Sequence, residues 1–285
     1  MLSMQPDAKE LLEKIYRKRP PQSHKGDFGR VLVIGGSKRY TGAPALAAMA
    51  AYKAGSDLVT IAAPRRAADI AASFSPNIIT YPLDGDFLKK THYKELKALI
   101  DSADSLLIGN GLGEGGKAAK PLIQKIKKPI VIDADALKYI PKRSSSKSII
   151  LTPHAREFEI MTGIKIKSLS EKEKTKAVKR AAAFFGATIL LKGHADIISN
   201  GKAVYLNRTG NPYMTKGGTG DTLAGICAAL LARGVNPLEA AYAAAYINGS
   251  AGDFAAEKHG EGMLATDVIE EIPEAISCFL KPLRR

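Results

Sequence analysis

Short, uninterrupted apolar runs recur along the chain from Arg30 onward, separated by polar or helix-patterned stretches. They fall at residues 31–34, 58–62, 78–81, 105–108, 130–132, 149–151 and 187–191. Each has the length of a strand, and most are continuous rather than alternating, as strands covered on both faces are. Helical patterns lie between them near residues 43–54, 93–100, 117–126 and 172–185. This alternation predicts an α/β fold: a right-handed three-layer α/β/α sandwich on a mainly parallel central sheet. Residues 196–199 and 203–206, joined by Asn200-Gly201, read as an antiparallel hairpin. Three helices starting near Thr219, Pro237 and Thr266 close the chain. The middle one carries Ala240, Ala241, Ala243, Ala244, Ala245, Gly249, Ser250, Ala251 and Gly252. Such density of small residues means close backbone packing, against either the preceding helix or another subunit.

No linker rich in Pro, Gly or Ser divides the 285 residues, so a single domain over residues 1–285 is expected, with 1–24 as an N-terminal extension. The hydrophobic share of 45% is enough for a sizeable core. The net charge of +14 raises the question of polyanion binding. The lysines are spread over the whole length, however, and the densest stretch is interleaved with Glu171 and Glu173, as on a solvated helix face. A basic field suits small ligands bearing several phosphates better than nucleic acid, for which stacking aromatics are scarce. Cys227 and Cys278 form neither a disulfide framework nor a zinc site. With no signal-peptide core and no apolar run of membrane-spanning length, a soluble cytoplasmic protein is expected.

Candidate chemistry concentrates at Lys216-Gly217-Gly218-Thr219-Gly220-Asp221, which runs straight into the first of the closing helices. Glycines let successive N–H groups converge on one oxyanion, and the helix adds its unpaired N–H groups and positive dipole end. A phosphate is the natural occupant, and Asp221 is a base at its edge. The plainer alternative is an N-capping aspartate after a glycine turn. Gly111-Leu112-Gly113-Glu114-Gly115-Gly116 competes for attention as a G-x-G-x-x-G run between strand and helix, with Asp133 near the position of a ribose-binding acid. That reading makes a nicotinamide-dependent oxidoreductase but leaves the loop at 217–221 without a task. His154 follows Thr152-Pro153 at a strand end, where open parallel sheets bind ligands, and Lys192 likewise ends a strand.

Taken in order, these segments resemble the NAD(P)H-hydrate dehydratases of the ribokinase-like superfamily. The matching pieces are Gly35-Gly36-Ser37-Lys38-Arg39-Tyr40-Thr41-Gly42-Ala43-Pro44, Gly55-Ser56-Asp57, Asp133-Ala134-Asp135-Ala136-Leu137, Leu151-Thr152-Pro153-His154, Leu191-Lys192-Gly193 and Gly217-Gly218-Thr219-Gly220-Asp221, over residues 25–280. After His154 the family continues Pro-Gly-Glu, whereas Ala155-Arg156-Glu157 stands here. The resemblance implies ADP- or ATP-dependent dehydration of the S epimer of hydrated NADH or NADPH (NADHX, NADPHX), a metabolite-repair reaction. It implies Asp221 as the catalytic base, with Ala43, Gly113, His154 and Asp221 on the substrate. Lys192, Gly193, His194, Ala195, Asp196, Gly217, Gly218, Thr219 and Gly220 fall to the adenine nucleotide. A dinucleotide substrate would also give the run at 111–116 a purpose without hydride transfer. Mg²⁺ accompanies the nucleotide, with its ligands unassigned, and a homotetramer and a separate epimerase acting on the same substrate are further implications. The runner-up enzyme is a small-molecule hydroxyl kinase of the same superfamily, of thiazole or pyridoxal kinase type; a cofactor-sensing binding protein is the non-enzyme alternative.

Overall fold

Strand β1 (Arg30–Ile34) lies near the middle of the sheet, and every other element is arranged around it. The computed structural model describes residues 5–141 and 145–278, so both ends of the expected 1–285 domain and the end of the resemblance at Leu280 lie outside them. The chain opens with α1 (Ala8–Ile15), passes through β1 to α2 (Ala43–Lys53), and continues β2 (Leu58–Pro64), α3 (Arg65–Phe74), β3 (Ile79–Leu83) and α4 (Tyr93–Ser102). It then runs β4 (Ser105–Ile108), α5 (Gly116–Lys125), β5 (Ile130–Ile132), β6 (Ile149–Leu151), α6 (Ala155–Thr162), α7 (Glu171–Phe185) and β7 (Thr188–Leu191). The hairpin β8 (Asp196–Ser199) and β9 (Val204–Asn207) precedes α8 (Thr219–Ala232), α9 (Pro237–His259) and α10 (Ala265–Ser277).

The nine strands form one sheet in the order β3-β2-β1-β4-β5-β6-β7-β8-β9. Pairing is parallel from β3 to β7 and antiparallel through β8 and β9, so the fold is the predicted α/β sandwich. Strands β4 to β7 are buried at every residue, which is why their sequences read as continuous apolar runs. The expected third strand is displaced to Ile79–Leu83 and includes Pro82, which a sheet tolerates because β3 is an edge strand. One face of the sheet carries a core built with α1, α2, α3, α8, α9 and α10, and the other a core built with α4 to α7.

Three helices absent from the sequence prediction are formed. Helix α3 buries only Ala67, Ala68 and Ala71, so its inward face carries no bulky apolar signal. Helix α6 is capped by His154, an unusual cap residue, and α1 lies in the segment read as an extension. There Leu11 and Leu12 join the core, while the Gln5 side-chain amide bonds both the N–H and the C=O of Leu206 on β9. The small residues of α9 pack inside the chain: Ala240, Ala241, Ala243, Ala244, Ala245 and Ala251 are all buried in the core shared with α8 and α10. Intramolecular packing therefore accounts for that composition. Among the described residues no helix is long and apolar enough to cross a membrane.

Candidate active site

The chain leaves β1 toward β2 and β3, then returns to the other flank of β1 with β4 and builds outward through β7. The carboxyl ends of β1 and β4 therefore frame the point where strand order reverses, the usual ligand crevice of an open parallel sheet. Both strands are followed directly by a glycine, and sterics explain why. A Cβ on Gly109 (φ +137°) would stand 1.7 Å from the Asp133 carbonyl oxygen, and one on Gly35 would stand 2.5 Å from that of Asn110. Gly36 N–H donates to the same Asn110 oxygen at 2.7 Å. The two loops are thus locked together, and between Gly109 and Gly111 they deliver Asn110, which is fully buried.

Asn110 bridges two carboxylates. Its Nδ2 donates to Asp221 Oδ1 at 2.5 Å and to Asp133 Oδ2 at 3.1 Å. Asp133, at the end of β5, also accepts from Thr152 Oγ1 at 2.7 Å and from Lys192 Nζ at 3.1 Å. Lys192, at the end of β7, lies 3.9 Å from Glu157 of α6 as well. Two carboxylates consequently share this ammonium. Burial alone would push Lys192 down, but Asp133 and Glu157 outweigh it and hold the ammonium above its usual range. Burial pushes the Asp221 carboxyl up to about 7, with the Asp133 charge adding to the rise and the Asn110 bond opposing it. A carboxylate that exchanges its proton near neutrality is suited to general-base work. Ala134, next to Asp133, has φ +49° and is the non-glycine residue with positive φ among the described residues, so the backbone is strained to set this corner.

Asp221 is the third residue of α8 rather than its cap; Gly218, at φ +102°, holds the cap position. The first bond into the helix is Thr222 N–H to Gly218 O at 3.0 Å, so the N–H groups of Gly218, Thr219, Gly220 and Asp221 precede the intrahelical ladder. A Cβ on Gly218 would meet Leu46 at 2.7 Å and Ala265 at 2.8 Å, which makes this glycine a packing requirement. Gly217 and Gly220 differ. A Cβ on Gly217 would meet nothing within 4 Å, and one on Gly220 only Lys192 Nζ at 3.4 Å. No protein atom requires glycine there, so the space is left for something from outside. The Thr219 hydroxyl donates to the carbonyls of Met214 and Lys216, which ties the loop to the start of α8. Thr222 Oγ1 and Asn248 of α9, 2.6 Å apart, fix the loop from behind.

The remaining predicted residues spread along the same edge of the sheet. Ala43 opens α2 beside Gly111, 3.3 Å from where a Cβ would sit. Gly113, at φ +54°, donates its N–H to Asp135 Oδ2 at 2.8 Å and faces Ser37 and Tyr40. His154 caps α6: its Nδ1 accepts from Arg156 N–H at 3.1 Å and Glu157 N–H at 3.2 Å, so a neutral ring carries its proton on Nε2, and the ring is half exposed. Glu157 closes the capping box from the other side, which is how α6 starts without the Pro-Gly-Glu continuation. Asp196 accepts from Gly193 N–H and Asn207 Nδ2, both at 3.1 Å, and so closes the turn carrying His194 and Ala195; burial lifts its carboxyl to about 6. Asp133 is 2% exposed and fully engaged, so it is not the ribose-binding acid of a dinucleotide fingerprint. Its partnership with Asn110 was missed in the sequence, where the available signal was a polar residue flanked by two glycines directly after a buried strand.

Among the described residues no group of three or more metal-ligating side chains converges. Asp133 is committed to Lys192, Thr152 and Asn110, and the ammonium stands where an ion bridging Asp133 and Glu157 would lie. The residues present do not fit a protein-held Mg²⁺.

Residues 31–274 match the family model described as NAD(P)H-hydrate dehydratase. The bifunctional NAD(P)H-hydrate repair enzyme Nnr of Hyperthermus butylicus is 45% identical over 92% of this chain and 51% of its own length. The ADP-dependent (S)-NAD(P)H-hydrate dehydratase of Nitrosopumilus maritimus is 40% identical over 95% of this chain and 96% of its own. The chain thus spans about half the length of the bifunctional relative and nearly all of the shorter one. The crystal structure of the ADP/ATP-dependent NAD(P)H-hydrate dehydratase of Bacillus subtilis, co-crystallised with ATP/Mg²⁺, superposes with a TM-score of 0.81 at 29% identity, over 95% of this chain and 97% of that one.

Proposed function

This chain belongs to the NAD(P)H-hydrate dehydratase family, with a ribokinase-like fold, and from that premise we propose that it dehydrates the S epimer of NADHX or NADPHX at the expense of ADP or ATP. The observation that carries the reading is a partly buried carboxylate poised near neutrality on the first turn of a helix, beside Gly217 and Gly220, where the protein leaves space open. Asp221 takes the proton of the nicotinamide-ring hydroxyl as that oxygen attacks the terminal phosphorus of the nucleotide. The N–H groups of 218–221 hold the charge on the transferring phosphoryl group. The P–O bond to the rest of the nucleotide breaks, giving AMP from ADP. The ring nitrogen lone pair then expels phosphate with cleavage of the carbon–oxygen bond, and loss of a proton from the neighbouring carbon restores NAD(P)H. Mg²⁺, for which the described residues gather no ligand cluster, would come with the nucleotide and would neutralise charge on its phosphates.

We read the chain as a single domain acting in the cytoplasm, which agrees with two free thiols, one of them exposed. An epimerase on a separate chain would supply the S epimer. The test is recovery of the reduced-nicotinamide absorbance on mixing hydrated cofactor, ADP and the protein. Recovery with release of AMP and phosphate is expected; a stable phosphorylated product without recovery would make it a kinase, and binding without turnover a sensor.

The small residues buried on α9 are not available to a homotetramer contact. Phe184 and Ile160, 64% and 51% exposed, border an apolar groove between α6 and α7, none of whose lining residues belongs to the Asp221 cluster. We place a subunit contact there. Light scattering over a dilution series is expected to give a stable multiple of the 30.4 kDa chain mass that Phe184→Lys lowers without unfolding. A monomeric mass at every concentration overturns the assembly.

A further inference from the structure

We propose that Asn110 and Asp133 are positioning residues for the reaction: the Asn110 amide ties the Asp221 carboxylate to Asp133 and its partner Lys192, fixing both its orientation and the charge it faces. This deepens the reading of Asp221 as the base and rests on it. Four observations converge. Both residues are buried, Asn110 at 0% and Asp133 at 2% exposure, so neither is available as an ordinary surface contact. Both hydrogens of the Asn110 Nδ2 are used, one on each carboxylate, which fixes the amide orientation because the reverse would set Oδ1 against two carboxylates. Its Oδ1 is buried and accepts no hydrogen bond from the described residues, an unfavourable arrangement that goes with committing the Nδ2 side to the two carboxylates. Finally, the chain accepts a positive φ at Ala134 and a glycine-only contact at Gly109 to bring Asp133 to this place.

The charges facing Asp221 are those of Asp133 at the end of β5, Lys192 at the end of β7 and Glu157 on α6; Cys227, deeper on α8, is buried and held as the neutral thiol by that burial. Removing the Asp133 charge withdraws a repulsion from Asp221 and frees Lys192 to attract it, so the Asp221 carboxyl should lose its proton more readily. Removing the Asn110 donor takes away a bond to the charged form, so the carboxyl should hold its proton more tightly. The two substitutions must therefore act in opposite directions, which loss of packing would not produce.

The experiment is titration of the Asp221 carboxyl carbon by NMR in protein labelled at aspartate, with Asp221→Asn identifying the signal, in the wild type, Asp133→Asn and Asn110→Ala. The midpoint is expected to fall by about one pH unit or more in Asp133→Asn and to rise by about half a unit or more in Asn110→Ala. The acid limb of kcat/KM should move with it. Midpoints unchanged in both, or displaced in the same direction, overturn the proposal; if one variant does not fold, the direction shown by the other decides. Because the titration needs no substrate, a wild type without dehydratase turnover would remove the proposed function while leaving this result readable.

Discussion

Asp221→Asn is expected to reduce turnover by about two to four orders of magnitude while making the folded protein more stable at pH 8. The loss follows from removing the proton acceptor without removing the Asn110 bond, since an amide oxygen still accepts from Nδ2. The gain follows from linkage. Burial raises the Asp221 carboxyl from an ordinary 3.8 to about 7 in the folded state. The stability associated with its protonated form is complete below the unfolded value and is lost as pH rises through the folded one. Across that window the wild type gives up as much as ~4 kcal/mol, at 1.36 kcal/mol per unit, and a neutral amide gives up none of it. Thermal melts should accordingly coincide near pH 4 and separate by pH 8, with the variant melting higher. Nucleotide affinity should be largely unchanged. Near-normal turnover in the variant, or a lower melting temperature than the wild type at pH 8, would remove Asp221 from the role assigned to it.

Gly220→Val should weaken nucleotide binding by about a hundredfold or more while leaving the protein folded. Gly220 lies in the first turn of α8, its φ is outside the left-handed region, and its only neighbour is the end of the Lys192 side chain, so valine has room in the free protein. The branches would occupy the space in front of the leading N–H groups, where a phosphate must approach to within hydrogen-bond distance. Gly113 requires a different substitution because at φ +54° valine would be strained; asparagine tolerates that backbone, and its side chain would enter the space before Ser37 and Tyr40. Gly113→Asn should weaken binding of the hydrated dinucleotide and spare ADP. Calorimetric titration of each ligand into each variant checks the division, and unchanged ADP affinity in Gly220→Val would contradict it.

Strand positions were legible because strands covered on both faces leave uninterrupted apolar runs, and β1, β4, β5 and β6 appear where residues 31–34, 105–108, 130–132 and 149–151 place them. The short face of α3, which buries only Ala67, Ala68 and Ala71 alongside charged residues, left no such mark, which is why it escaped. In the site, glycines signal backbone geometry and so pointed to the loop at 217–221. They could not say which glycines are for packing: Gly218 touches Leu46 and Ala265, while Gly217 touches nothing. The Asn110–Asp133–Lys192 cluster joins the ends of three strands separated by as much as 82 residues in sequence (192 − 110), and only the order of strands in the sheet brings them within hydrogen-bond distance.

The bonds from Gln5 to Leu206 bear on how the protein avoids aggregation. As the last strand of the sheet, β9 presents unpaired main-chain groups outward, a template on which a foreign strand can grow. The Gln5 amide offers an N–H and a C=O side by side, as one residue of a neighbouring strand would, and occupies both the carbonyl and the N–H of Leu206 at 2.9 and 2.8 Å. Tyr242 of α9 anchors the same amide through its hydroxyl at 2.9 Å. A single side chain, delivered from the opposite end of the polypeptide, thus acts as a stopper that ends the sheet at nine strands.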